Sequence, residues 1–288
     1  MSMYGRFLAA ALALTLAACG AGEPAPAVTA ASPASPVPET TASAAPVDGG
    51  EAPAVAATTP GAHAPGPLPP VVQHGPRDVK KVALTFDADM TDAMKARLRN
   101  GTVSSYANLR LLGILETRRI PATFFVTGQW AEQYPDVTRR IAGNPHFEIA
   151  NHSYEHAAFT GGCYTLPRLA PGEMTGDVDK TFTTLHPYGG RQTRYFRFPG
   201  LCHDRAALRA LAPLGVTVVD GDVVSGDPFA RGAAPVIDAV LSQVKPGSIV
   251  IMHITEANAR FTDDALPAVL AGLRRRGLEP VTLSELLA

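Results

Sequence analysis

The sequence predicts an α/β fold, a distorted (β/α) barrel of about seven parallel strands behind a disordered tether. Three observations carry this. Short apolar runs alternate with segments of helical period from residue 79 to the last residues. Residues able to do chemistry stand directly after five of those runs. Half of the 26 prolines lie in residues 20–76, ahead of the alternation.

The apolar runs Val79–Phe86, Thr123–Val126, Phe147–Asn151, Tyr195–Phe198, Val216–Asp220 and Ser248–His253 read as strands. Helices fall between them: Ala107–Arg118, with Leu109, Leu112 and Leu115 at helical spacing, then Pro135–Ala142, opened by its proline. Others follow within Gly172–Leu185 and over Arg205–Ala212, Pro235–Val244 and Asp264–Arg276, and Pro280–Leu283 closes the series. Strand–helix alternation of this kind implies a parallel sheet with crossover helices. Six or seven units favour a barrel, whose site lies at the C-terminal ends of the strands.

Composition narrows the function. The 288 residues are 46% apolar and 18% charged, enough for a packed core. A formal net charge of −1 argues against a nucleic-acid partner, which calls for a basic excess. Residues 20–76 hold 13 prolines, no aromatic residue, no Lys or Arg and four acids, so they cannot offset their own ordering entropy. They read as a tether, with the folded unit starting at Arg77.

Residues 1–18 have a positive start at Arg6 and an apolar stretch of signal-peptide length. Leu16-Ala17-Ala18-Cys19 resembles the bacterial lipobox, in which the cysteine is lipidated after cleavage. An ordinary signal peptide with an incidental cysteine is the other reading. The resemblance implies an exported protein anchored in the cell envelope through Cys19, with residues 19–76 as its spacer. In a Gram-negative host it would sit in the outer membrane, facing the periplasm.

The strand ends carry Asp87-Ala88-Asp89, His152-Ser153-Tyr154-Glu155-His156, Arg197-Phe198-Pro199-Gly200, Asp220 to Asp227, and His253. Carboxylates at i and i+2 on a strand end point the same way. His-x-x-x-His places two imidazoles one helical turn apart, or on one side of a tight loop. Two imidazoles and a carboxylate suit a divalent metal, with zinc the natural candidate. Such a metal acidifies water, while His253 is placed to protonate a leaving group. Trp130 reads as a buried anchor or a cleft residue, and Met90–Tyr106 as a lid or a surface insertion. Asp220, Asp222, His146, His186 and His203 carry no assigned role.

The order of these motifs resembles the polysaccharide deacetylases of carbohydrate esterase family 4, over residues 79–288. The resemblance implies metal-dependent removal of acetyl groups from sugar polymers. By motif position, Asp87 resembles the catalytic base and His152 and His156 the metal imidazoles. Arg197 resembles the arginine that orients the base, Asp227 the carboxylate that holds that arginine, and His253 the general acid. Gly200 would lend a backbone N–H to the oxyanion. The pattern departs in three places. Ala88 stands where the second of two adjacent aspartates is usual, leaving Asp89 to serve as ligand. Gly200 replaces an aromatic residue. Val224 and Pro228 replace an acid and a tryptophan. Cys163 and Cys202 both follow site motifs and are expected to form a disulfide, with free thiols or a soft metal site as alternatives.

The implied function is N-deacetylation of an amino-sugar polymer, peptidoglycan or an exported polysaccharide, by a monomer. The competing readings are a tethered glycan-binding protein on a disabled deacetylase fold, and an O-acetyl esterase.

Overall fold

The computed structural model describes residues 67–288. The expectations for the signal peptide, Cys19 and the tether as far as residue 66 lie outside the described residues. Among the described residues, nine strands form one sheet: β1 (Val71–Val72), β2 (Lys81–Ala88), β3 (Ala122–Val126), β4 (Phe147–Asn151), β5 (Gln192–Phe196), β6 (Thr217–Val219), β7 (Val223–Val224), β8 (Ile249–His253) and β9 (Glu279–Val281). The order is β1-β6-β5-β4-β3-β2-β8-β7, with β9 against β2, and every ladder is parallel.

The sheet curls into a half-barrel. Its edges β1 and β7 are not paired with each other, and three residues of chain carry β6 across to β7. Gly221 makes that crossing at φ +75°, and a Cβ there would lie 2.9 Å from the Ile251 side chain. Glycine is the residue that accepts both the conformation and the contact.

Side-chain parity on β2 positions the chemistry. Val82, Leu84, Phe86 and Ala88 belong to the main core, together with Leu111, Leu112 and Leu115 of the helix Leu109–Thr117. Ala83 instead belongs to the cluster containing Ile249, Leu283 and Leu286. Alternation then puts Thr85 and Asp87 on the inner face, with Asp89 just beyond the strand. Ala88 itself is fully buried in the apolar layer, where an unpaired acid would be costly.

Helix ends follow their capping residues. Thr91, Asn108 and Asp204 accept the N–H bonds that open the helices Asp92–Arg99, Leu109–Thr117 and Arg205–Leu211. The helix Pro135–Ala142 starts on its proline as expected. Trp130 is fully buried and donates Nε1–H to the Tyr106 carbonyl at 3.1 Å, so it is an anchor and not a cleft residue.

Several boundaries move: β5, read over Tyr195–Phe198, runs Gln192–Phe196, and two further shifts alter the ends of the fold. The sheet begins before Arg77: Val71 and Val72 pair with Val218 and Val219, and Pro70 accepts the Val218 N–H. Proline lacks a donor but keeps its carbonyl, and an edge strand tolerates it. The last segment is not a single strand through Leu283. Thr282 stops it with a capping box to Glu285, and Leu283–Leu287 is a helix whose Leu283 and Leu286 pack under the barrel. No described helix is long and apolar enough to cross a membrane.

Candidate active site

Asp87 is the last residue but one of β2, and Asp89 stands just beyond the strand. His152 and His156 come from the turn after β4. That turn is a tight loop and not a helix. Ser153 and His156 both adopt left-handed backbone, at φ 69° and 56°. Asn151 Oδ1 accepts the Ser153 N–H, Ser153 Oγ accepts the His156 N–H, and Asp177 Oδ1 accepts the Tyr154 N–H. These bonds fold the chain back until the two imidazole centroids are 4.9 Å apart. Burial pushes the Asp177 carboxyl up to about 6, against the lowering effect of the Tyr154 N–H. Gly128 makes room for the loop, since a Cβ there would lie 2.2 Å from the Tyr154 ring.

Asp89, His152 and His156 each offer one ligand atom, all within 4.8 Å of one another. Asp89 Oδ1 is 3.4 Å from His152 Nε2 and 3.4 Å from His156 Nε2. Asp89 Oδ1 and His152 Nε2 are both buried without a hydrogen-bond partner. Unpaired buried polar atoms are costly, and two that face one another suit a cation between them. His152 Nδ1 lies 2.8 Å from the Arg197 carbonyl. A carbonyl only accepts, so Nδ1 carries the proton and the Nε2 lone pair points at the cluster. Burial raises the Asp89 carboxyl, but the imidazoles of His156, His152 and His253 outweigh it and hold the group ionised. Burial depresses His156 to about 4, which leaves its imidazole neutral. The residues present therefore fit a divalent cation: one carboxylate and two imidazoles, the set expected for zinc.

Arg197 is fully buried at the end of β5 and donates from Nη1 to Asp87 Oδ1 at 2.5 Å. Its Nε donates to the Val219 carbonyl, and its guanidinium lies 3.9 Å from the centre of the Phe125 ring. The other Asp87 oxygen is 3.7 Å from His152 Nε2, which puts this carboxylate beside the cluster.

Asp227 does not hold Arg197, contrary to the sequence expectation. It holds His253. Oδ1 accepts from His253 Nδ1 at 2.8 Å and from the Ser225 hydroxyl, and Oδ2 accepts from the His253 N–H and the Thr262 hydroxyl. The reason is topological. β7 pairs with β8, so the turn after β7 brings Asp227 beside the end of β8, while Arg197 points inward toward β2. Burial lowers His253, but the Asp227 anion dominates and pushes it up to about 10. Its Nε2 faces the cluster, 3.9 Å from Asp89 Oδ2.

Cys163 and Cys202 form a disulfide that ties the loop after His156 to the loop after Arg197. Gly200 lies between them at φ +63°, and a Cβ there would be 2.7 Å from Cys163 Sγ. The segment after Asp89 contains the helix Asp92–Arg99 and forms one wall of a cavity of about 450 Å3 that reaches Asp89 and His156. Residues missed from sequence include Thr255, whose hydroxyl accepts the Asp89 N–H and donates to the Asp87 carbonyl. Its place two residues after His253 was the available signal. Asp220 and His203, given no role, form an ion pair at 3.0 Å.

A curled parallel half-barrel with carboxylates and imidazoles converging at the strand ends is a hydrolase-like scaffold with three side chains that could hold a cation. The family profile for polysaccharide deacetylases matches residues 74–219, and the chain belongs to that family of hydrolases. A chitooligosaccharide deacetylase of Bradyrhizobium sp. is 29% identical over 61% of this chain and 82% of its own length. A peptidoglycan-N-acetylglucosamine deacetylase of Bacillus cereus is 26% identical over 74% and 70%. Among solved structures, a peptidoglycan N-acetylglucosamine deacetylase superposes with a TM-score of 0.64 at 24% identity, over 75% of this chain and 92% of that one. A family 4 pseudoenzyme from Bacillus anthracis superposes at 0.62 with 22% identity, over 76% and 69%. At those identities the structural matches speak for the fold.

Proposed function

We propose that this protein removes N-acetyl groups from an amino-sugar polymer, peptidoglycan or an exported polysaccharide, at the cell envelope. The observation that carries the reading is the pair of buried, unpartnered ligand atoms, Asp89 Oδ1 and His152 Nε2, beside an Arg197-bound Asp87. Asp89, His152 and His156 would hold the metal, zinc by their chemistry. When bound, it polarises the acetyl carbonyl and acidifies water.

The chain's own residues supply the proton transfers. Asp87 takes a proton from the attacking water as the water oxygen bonds to the acetyl carbon. Arg197 fixes the base through Nη1. The Gly200 N–H donates to the carbonyl oxygen as it becomes negative. His253, held protonated by Asp227, gives its Nε2 proton to the leaving nitrogen as the C–N bond breaks. The products are a free amine and acetic acid, which ionises to acetate in water, and the proton gained by Asp87 matches the one given up by His253. The same residues would act on an O-acetyl ester, whose leaving oxygen takes the His253 proton.

Relatives named for chitooligosaccharide and peptidoglycan N-acetylglucosamine deacetylation support an N-acetylated glycan as substrate. The likeness to a pseudoenzyme and the alanine at position 88 favour the glycan-binding alternative. Asp89 weighs against it, since it supplies a carboxylate on the inner face where position 88 cannot. Export and lipidation at Cys19 rest on the sequence pattern alone, and the monomeric state is likewise a proposal.

Acetate release by residues 67–288 tests the reading, measured on peptidoglycan, N-acetylglucosamine oligomers and acetylated xylan, after chelation and after zinc is restored. Zinc-restored release from an N-acetylated polymer supports it, and release from xylan alone supports the esterase. A folded, zinc-loaded protein that binds glycan without releasing acetate is the glycan-binding protein.

A further inference from the structure

Tyr164 and Phe229 are the two most exposed large apolar side chains described, at 68% and 74%. They come from different loops, yet their rings meet at 6.1 Å between centroids and 23° between planes. Both loops are fixed beside the site. Tyr164 directly follows Cys163, which is bonded to Cys202, and Phe229 ends the short turn that begins at Asp227. Tyr164 also holds a left-handed backbone, φ 50°, a conformation that non-glycine residues seldom adopt. An exposed ring gains little packing to offset such a conformation, and strain of this kind clusters at binding sites.

The pair is continuous with the site. The Tyr164 ring lies over Gly200, where a Cβ would come within 3.0 Å of it, so the missing aromatic residue of that motif leaves the space Tyr164 covers. The next residues, Thr165, Leu166 and Pro167, line the cavity shared by Asp89 and His156. The loop therefore has the cavity on one side and a flat, uncharged aromatic surface on the other.

We propose that Tyr164 and Phe229 form a stacking platform for a pyranose ring of the substrate glycan, next to the sugar that loses its acetyl group. A pyranose presents apolar C–H groups on its faces, and aromatic rings take such faces while the sugar hydroxyls stay in water. Two nearly parallel rings from separate loops offer one such face, and neither carries a charge that would select an ionic ligand. The inference rests on the polysaccharide reading and adds a subsite to it.

The test uses the full chain carrying Asp87→Asn, so that turnover does not consume the ligand. Affinity is measured by calorimetry with N-acetylglucosamine hexamers and by co-sedimentation with peptidoglycan. Tyr164→Ala with Phe229→Ala is expected to weaken binding about tenfold, the equivalent of about 1.4 kcal/mol, while Tyr164→Phe, which keeps the ring, binds like its parent. An unchanged melting temperature and an intact disulfide in the double variant show that the loops are still in place. Equal affinity of the double-alanine variant and its parent overturns the platform alone. A Tyr164→Phe variant as weak as the alanine one overturns it too, since the hydroxyl and not the ring would then be the contact. A parent that binds neither glycan sinks the platform together with the polysaccharide reading.

Discussion

Two carboxylate–imidazole groups lie within 4 Å of each other and are finished in opposite ways. Asp227 is saturated: two hydroxyls, one backbone N–H and one imidazole N–H use both of its oxygens. Asp89 is open: its Oδ1 is buried with no hydrogen bond, and so is the facing His152 Nε2. A saturated carboxylate fixes a charge and, through it, the proton on His253. An open one keeps lone pairs for something that has yet to arrive. The same two residue types thus do proton chemistry on one side and ligand chemistry on the other, and the completeness of their hydrogen bonding tells them apart.

The sharpest way to break the contrast is Asp89→Asn. It removes the only carboxylate of the open group, so bound zinc by elemental analysis should disappear and acetate release should fall more than about 100-fold. Stability of the metal-free protein should fall, because the imidazoles of His156, His152 and His253 outweigh the cost of burying the Asp89 anion. A variant that still binds one zinc tightly would show that Asp89 is not a ligand. Next is Asp87→Asn, expected to cost on the order of 100- to 10,000-fold in kcat with zinc retained. Loss of the metal in that variant would place Asp87 among the ligands instead.

Asp227→Asn should leave the bound zinc in place and act on the proton instead. It leaves buried donors poorly matched, so it should cost ~1–3 kcal/mol in denaturant unfolding. His253 is held protonated up to about 10 in the parent. An acid that must be protonated fails as pH rises through its pKa, so losing the anion should move the alkaline limb of the rate profile toward neutral pH. An unmoved limb would remove His253 from the role of acid. The smallest effect belongs to the outlying pair, His203 and Asp220. The Asp220 bond raises His203 above its usual value near 6.5. A raised imidazole contributes stability below that value and loses it as pH climbs through the folded pKa. Asp220→Asn should therefore lower the melting temperature at pH 5.5 and hardly change it at pH 9. An equal drop at both would make the pair a neutral hydrogen bond.

Much of this was legible before any coordinates. The segments Pro135–Ala142 and Phe147–Asn151 have the bounds read from their residues, because a proline opens one and the apolar Phe147, Ile149 and Ala150 carry the other. Asp87 and Asp89 could be set on one face by parity alone. What escaped was decided by partners far away in sequence. Asp227 is 26 residues from His253 and 30 from Arg197, and only the β7–β8 pairing settles which one it meets. The helix Gly128–Gln133 was missed because it starts one residue after Thr127, directly off β3, with no apolar period of its own. β1 was missed because two valines among prolines carry no strand signal until β6 is beside them.

The last strand and helix give the molecule a schedule. β2, the first long strand, has β3, β8 and β9 as neighbours, so two of its three partners are among the last segments in sequence. Leu283 and Leu286 then stop the base against Ala83 and Ile249. A chain synthesised from its N-terminus holds an incomplete barrel until residues 279–287 have followed. Strand β2 waits for β9, and a sheet completed so late leaves its chain threadable for nearly the whole of its synthesis.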